Sequence, residues 1–284
     1  MSILKQPFKL ALVQLATGAD KTTNLARAKT KVLEAAREGA NIVVLPECFN
    51  SPYGTNFFSQ YAESLTTPTS SESFSALASM AKESSTYLIG GSIPELDPAT
   101  KKLYNTSLVF SPDGELLAKH RKIHLFDINI PGRIRFMESE ALSPGDNMTI
   151  VETKYGKIGL GICYDIRFPE LAMIAARRGC FVMVYPGAFN MTTGPLHWSL
   201  LARSRAVDNQ IYVALCSPAR DINASYHAWG HSMIVDPKGE VMKELEDSEG
   251  LVFANLVQEK IEEVRREIPV TTQRRFDVYK NVAE

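Results

Sequence analysis

Gly159-Leu160-Gly161-Ile162-Cys163-Tyr164-Asp165 is a short apolar run that ends on a thiol, and Arg167-Phe168-Pro169-Glu170 behind it carries the signal of a helix start. Read together, they are a strand feeding a helix, with a reactive side chain at the junction. The same grammar occurs twice more. Glu47 follows the apolar run Ile42-Val43-Val44-Leu45-Pro46, and Lys122 follows the alternating stretch from Glu115 to Arg121. Open α/β sheets build their sites outside strand ends. A thiol nucleophile, a carboxylate base and an amine able to hold a developing oxyanion therefore point to acyl transfer through Cys163.

The flanking segments extend the pattern. Leu10 to Leu15 reads as a buried strand, and Leu25, Ala28, Val32 and Ala36 mark a helical face from Asn24 to Glu38 that stops at Gly39. A helix through Phe74, Leu77 and Ala81 precedes the strand Tyr87-Leu88-Ile89. Thr106 to Phe110, the turn Ser111-Pro112-Asp113-Gly114 and Glu115 to Lys119 read as a hairpin. A near-echo follows at Ser232 to Val235, Asp236-Pro237-Lys238-Gly239 and Glu240 to Lys243. Between the hairpins lie a helix ending at Gly179, the strand Phe181 to Tyr185, a helix near 196–209 and the strand Ile211 to Cys216. Two βα-rich halves, each with a hairpin, predict two mixed sheets packed face to face with helices outside. No linker or charge block divides the 284 residues. One domain over 1–284 is expected, with a core of about 8–255 and a C-terminal arm of about 256–284 whose polar part follows Ile268.

A hydrophobic content of 45% supports a large core, and a net charge of −1 gives no reason to expect nucleic acid or a membrane as partner. No apolar stretch reaches the ~20 residues of a membrane span. Met1 to Phe8 has neither signal-peptide nor transit character. A soluble cytoplasmic protein is expected, with a mitochondrial fraction left open. Four cysteines without CxxC spacing read as free thiols. There is no HExxH, no Walker pattern, and no GxGxxG, since position 164 is Tyr. No metal site is expected.

Cys48, Cys180 and Cys216 also border apolar runs, and Cys216 is not excluded by position. Cys163 stands out for its glycine approach and for the helix start beyond it, which should favour thiolate. None of the five histidines has a setting that singles it out for a Cys–His hydrolase. Arg167 is either a clamp for a substrate carboxylate or a salt-bridge partner of Asp165 or Glu170. Tyr53, behind Glu47, is a second candidate for the carboxylate.

Leu45-Pro46-Glu47, Arg121-Lys122-Ile123-His124 and Gly161-Ile162-Cys163-Tyr164-Asp165 resemble the three catalytic blocks of the nitrilase superfamily of carbon–nitrogen hydrolases. The resemblance runs from Leu10 to Tyr279. ECFNSPYG (47–54), LIGGSIPE (88–95), KIHLFDI (122–128), VYPGAFN (184–190) and RAVDNQ (205–210) are most similar to its Nit-type, ω-amidase branch. Arg167-Phe168-Pro169-Glu170 also resembles the sister branch that hydrolyses deaminated glutathione. The resemblance implies a four-layer αββα sandwich that pairs into a homodimer, with no metal or organic cofactor. It implies Glu47 as base, Lys122 as oxyanion-binding amine, Cys163 as nucleophile and Glu138 as auxiliary glutamate. Tyr53, Tyr164 (through its N–H), Arg167 and Phe189 are the expected substrate-binding residues. The implied reaction is hydrolysis of the terminal amide of small dicarboxylic monoamides (α-ketoglutaramate, α-ketosuccinamate, succinamate) through an acyl thioester. A nitrilase or carbamoylase reaction, or a silent interaction protein on the same scaffold, are the competing expectations.

Overall fold

The computed structural model describes residues 3–132 and 134–284. The first half runs β1 (Phe8–Gln14), α1 (Lys21–Arg37), β2 (Ile42–Val44), α2 (Phe58–Tyr61), α3 (Glu72–Ser84), β3 (Tyr87–Ile89), β4 (Ile93–Leu96), β5 (Leu103–Phe110) and β6 (Leu116–Arg121). A separate hairpin, β7 (Asp127–Ile130) with β8 (Ile134–Met137), follows. The second half runs β9 (Ile150–Thr153), β10 (Gly156–Leu160), α4 (Pro169–Arg177), β11 (Cys180–Pro186), α5 (Gly194–Asn209), β12 (Tyr212–Cys216), β13 (Met233–Val235) and β14 (Val241–Glu244). β15 (Gly250–Leu256) and α6 (Gln258–Glu267) close the ordered elements.

The halves repeat one another. In one sheet β1, β2 and β3 pair in parallel and hand over to antiparallel β5 and β6. In the other, β10, β11 and β12 pair in parallel and hand over to antiparallel β13 and β14. Each free edge of the parallel triplet is covered by one antiparallel strand, β15 on β1 and β9 on β10. These are the duplicated halves that the two hairpins predicted. The parallel strands are buried on both faces, which is why they read as unbroken apolar runs.

The inner faces meet through Leu10, Leu12, Ile42 and Val44 against Leu160, Val182, Val184 and Ala214. The outer face of the first sheet packs on α1 and α3 through Val43, Leu45 and Leu88 against Val32, Phe74 and Leu77. On the second sheet, Met183, Tyr185 and Val213 pack on Ala172, Ala175 and Trp198 of α4 and α5. The order helix, sheet, sheet, helix is the four-layer αββα sandwich. Each fully buried Leu or Val contributes ~1.5–3 kcal/mol to holding these layers.

Two expectations shift. The buried stripe of α1 is Leu25, Ala28, Val32 and Ala35, not Ala36, because the helix turns its last buried contact at i+3. The stretch after 256 does not begin as an arm. Ile261 and Val264 of α6 are buried, and Gln210 Nε2 donates to the carbonyls of Val264 and Ile268. Polar chain with little regular structure starts only beyond that helix. Among the described residues no helix is long and apolar enough to cross a membrane.

Candidate active site

Strand ends bring the three predicted groups together. Glu47 lies just past β2, Lys122 directly past β6 and Cys163 just past β10. Gly159 and Gly161 make the last approach possible. A Cβ at Gly159 would sit 2.2 Å from Met183 Sδ, and one at Gly161 would sit 2.5 Å from the Tyr185 ring. Only a bare backbone lets β10 and the residues after it run so close to their neighbours before Cys163.

Glu47, Lys122 and Glu138 are fully buried and share one hydrogen-bonded cluster. Lys122 Nζ donates to Glu47 Oε1 at 3.0 Å and to Glu138 Oε1 at 2.9 Å. Glu47 Oε1 also accepts from Asn105 Nδ2 at 2.8 Å, and its Oε2 accepts from the Ala188 N–H at 2.8 Å. Glu138 accepts from Tyr53 Oη at 2.7 Å and from the Phe126 N–H at 2.7 Å. Burial pushes the Glu47 carboxyl up, Lys122 opposes the shift, and the nearby Glu138 adds to it. Burial works against charge on Lys122, yet Glu138 and Glu47 hold its ammonium well above the ordinary lysine range.

Cys163 is buried, and burial together with the Glu47 charge pushes its thiol well up. Desolvation and a facing carboxylate thus oppose the thiolate that the helix start favours. Its backbone is held in the left-handed region, φ 48°, at the head of the 3-10 turn Cys163–Arg167. The turn's first i→i+3 bond joins Asp165 N to Ile162 O, so the Tyr164 N–H ahead of it has no acceptor within the turn.

Asp165 fixes this turn. Its buried carboxylate accepts from the Ile162 N–H at 2.8 Å and from the His124 N–H at 2.9 Å. His124 Nδ1 lies 2.8 Å from Oδ1, and His120 Nε2 lies 3.5 Å from Oδ2. Burial alone would raise this carboxyl, but the bonds from His120 and His124 hold it far below the usual range. The two histidines thus flank one carboxylate. Among the described residues no His, Cys, Asp and Glu group is arranged to hold a metal ion.

Arg167 forms neither of the two expected salt bridges, since Asp165 is committed to the histidines. Its Nη1 meets His197 Nδ1 at 3.1 Å, its Nε is buried without a partner, and burial lowers its pKa. The guanidinium stands 4.8 Å from the Phe189 ring centroid and 5.5 Å from that of Tyr164. Phe126, Cys163, Tyr164, Arg167, Ala188, Phe189 and Thr193 line one cleft, too tight for a water-sized molecule without side-chain movement. Arg205 donates to the Ile166 and Arg167 carbonyls, and Arg203 to the Gly239 carbonyl, so both are structural.

Tyr53 gives its one hydroxyl proton to Glu138 and packs its ring on Phe136 and Tyr226, outside the cleft that holds Arg167. A second cavity of about 250 Å³ reaches Glu47 and Tyr53 from the loop carrying Pro218, Asp221 and Tyr226. Asn105, Asp165, Tyr226 and the Ala188 and Phe126 N–H groups were not anticipated. Asn105 and Asp165 carried a faint signal, being polar residues beside apolar strand runs.

Residues 9–266 match the carbon-nitrogen hydrolase family. The chain is 61% identical over 275 residues to a protein of Schizosaccharomyces pombe named only as a hydrolase, covering 97% of this chain and 84% of that one. It is 58% identical over 272 residues to omega-amidase NIT2 of Mus musculus, covering 96% of each. The crystal structure of Saccharomyces cerevisiae Nit3, a member of branch 10 of the nitrilase superfamily, superposes with a TM-score of 0.91 at 53% identity, covering 97% of this chain and 99% of that one.

Proposed function

The chain belongs to the carbon-nitrogen hydrolase family, and from that premise we propose that it is an ω-amidase acting on small dicarboxylic monoamides. The observation that carries the substrate class is Arg167, half-buried, with its Nε buried and unbonded and with no acidic partner among the described residues, in the cleft that also holds Cys163. A partly desolvated cation without a counter-charge favours an anion that completes it. A carboxylate one short chain away from the scissile amide is such an anion. α-Ketoglutaramate, α-ketosuccinamate and succinamate fit this description, and the name of the mouse relative supports it.

The roles follow from the cluster. Glu47, its carboxyl raised by burial, takes the proton from the neutral Cys163 thiol, and the thiolate attacks the amide carbon. Lys122 Nζ and the Tyr164 N–H hold the oxyanion, each good donor contributing ~3–4 kcal/mol. Glu47 returns the proton to the departing nitrogen, releasing ammonia and leaving an acyl thioester. It then takes a proton from water, whose hydroxide attacks the thioester carbon, and returns that proton to the departing Cys163 sulfur as the dicarboxylate is released. Glu138 has its oxygens occupied by Lys122, Tyr53 and the Phe126 N–H, which suits it to orienting Lys122 and not to moving protons. Phe189 and Tyr164 wall the Arg167 side of the cleft.

Ammonia release from α-ketoglutaramate, deaminated glutathione and butyramide separates the readings. The highest kcat/KM on α-ketoglutaramate supports an ω-amidase. The highest value on deaminated glutathione favours the sister activity, and no turnover on any amide favours a silent scaffold.

A homodimer is part of the same proposal. α5 buries Trp198, Ala202 and Ala206 yet exposes Leu196, Leu200 and Val207 on its other face, an apolar stripe suited to a second copy. Leu200→Lys should shift the protein to monomer in analytical ultracentrifugation, and an unchanged dimer would place the interface elsewhere. Four free, buried cysteines suit a reducing compartment and support the cytoplasmic reading.

A further inference from the structure

Away from the catalytic cluster, a cleft of about 210 Å³ is lined by Ala176, Arg177, Asn209, Arg265, Thr271 and Arg274. It lies where the ends of α4 and α5 meet α6 and the chain that follows it. Three arginines line it, and no acidic residue does so among the described residues. Arg265 is the informative member. Its Nε is buried without a partner, and its guanidinium has no ion pair among the described residues. Burial lowers its pKa, with no acidic neighbour opposing the shift.

The other two arginines are only lightly committed. Arg274 Nη2 donates to the Asp208 carbonyl at 2.6 Å, which leaves most of its fork free. Arg177 stacks 4.1 Å over the Phe276 ring, an arrangement that leaves its N–H edge open. The Asp208 carboxylate is directed to Arg205 at 3.5 Å, so it does not neutralise the cleft. Three positive charges gathered in one concavity are out of keeping with a chain whose net charge is −1.

We propose that this cleft is a binding site for a phosphate-class oxyanion. Guanidinium forks match phosphate oxygens in pairs. Three forks approaching from three elements match a tetrahedral dianion better than a carboxylate, which offers two oxygens in one plane. The Thr271 hydroxyl adds a neutral donor on the rim. The volume admits inorganic phosphate with water or a small phosphate monoester. Because Thr271 and Arg274 belong to the segment beyond α6, a bound anion ties that segment to the ends of α4 and α5.

The test titrates inorganic phosphate into the substrate-free, full-length protein at constant ionic strength, by calorimetry and by thermal unfolding. Sulfate and glycerol phosphate run in parallel, to tell a free anion from the phosphate of an ester. We expect one saturable site per chain and a rise of about 5 °C in Tm at a hundredfold excess over Kd. Arg274→Ala, on an outer segment, and Arg265→Lys, which keeps the charge and loses the fork, should each weaken binding tenfold or more. Arg167→Ala should leave it unchanged. Three results overturn the proposal: no saturable binding to the parent, binding that survives both cleft variants, or binding lost with Arg167→Ala, which would put the anion beside Cys163.

Discussion

Arg167→Ala separates a substrate clamp from a structural arginine, because the two roles predict opposite signs for stability. A structural arginine holds acids or carbonyls, and its loss leaves them unpaired in the interior. Arg167 holds neither. Its single polar side-chain contact is His197 Nδ1 at 3.1 Å, on a histidine whose own pKa is lowered by its partial burial and by Arg167. Removing the guanidinium therefore removes a desolvation cost and orphans no charge, so the unfolding midpoint should hold or rise. Catalysis should respond differently. A carboxylate bound by a desolvated fork gains charge-assisted bonds of ~1.5–3 kcal/mol each, part of which water recovers in the variant. A net loss of roughly 2–4 kcal/mol corresponds to about 30- to 1,000-fold in kcat/KM. The assay is ammonia release from succinamate and from butyramide, which share a four-carbon acyl chain and differ in the distal carboxylate. Succinamate should lose the full factor, and butyramide should change by less than about threefold, since it never used the fork. Arg167→Lys should fall between, having charge without bidentate geometry. Equal losses on both amides, or a lowered unfolding midpoint, would show that Arg167 acts on the fold and that the carboxylate is held elsewhere.

Cys163→Ala should abolish ammonia release in a folded protein, whereas Cys180→Ala and Cys216→Ala should retain turnover. Intact mass after a stalled turnover should place the acyl adduct on Cys163, and an adduct on another cysteine would overturn the assignment. Lys122→Met leaves Glu47 and Glu138 facing one another without a cation and should cost ~3–5 kcal/mol of stability in urea unfolding. Adding Glu138→Gln should recover part of that loss and none of the activity; no recovery would mean that the two carboxylates are not coupled through Lys122. Asp165, whose carboxyl sits far below its ordinary range in the fold, contributes stability above an unfolded pKa near ~4 that is lost as pH falls below it. Asp165→Asn should be less stable at neutral pH and should show a flatter acid limb in its stability-against-pH curve. An acid limb as steep as the parent's would assign the dependence to other groups.

The layer order and the three reactive strand ends were readable because each depends on local pattern. Val43 and Val182 sit in apolar runs that only a doubly covered parallel strand tolerates, and Ser111 to Gly114 and Asp236 to Gly239 are turn chemistry that barely depends on context. What escaped depends on contacts between distant segments. Asn105 is one more polar residue in a hairpin strand until β5 and β2 are brought together, when it becomes a donor to Glu47 58 residues away in sequence. The spacing of His120 and His124 says nothing of Asp165, which they reach across 45 and 41 residues. Nor does the sequence show that the Tyr53 hydroxyl donates to Glu138, 85 residues on.

The buried charges explain why a protonated thiol suits this site. Glu47, Glu138 and Lys122 share one desolvated cluster, and a thiolate beside them would add negative charge to it. In the proposed mechanism the total does not change when Glu47 accepts the thiol proton: a carboxylate is neutralised as a thiolate forms, and Lys122 remains beside Glu138. Attack then moves the negative charge onto the amide oxygen, toward Lys122 and the Tyr164 N–H. Collapse returns the proton to nitrogen and the charge to Glu47. At each stage one negative charge migrates among positions that Lys122 already faces, so no step adds a net charge to the interior. Glu138 is the fixed counterweight in this arrangement. Held by Tyr53 and the Phe126 N–H, it favours the charged form of Lys122, and in the proposed mechanism it still does so when Glu47 carries the proton.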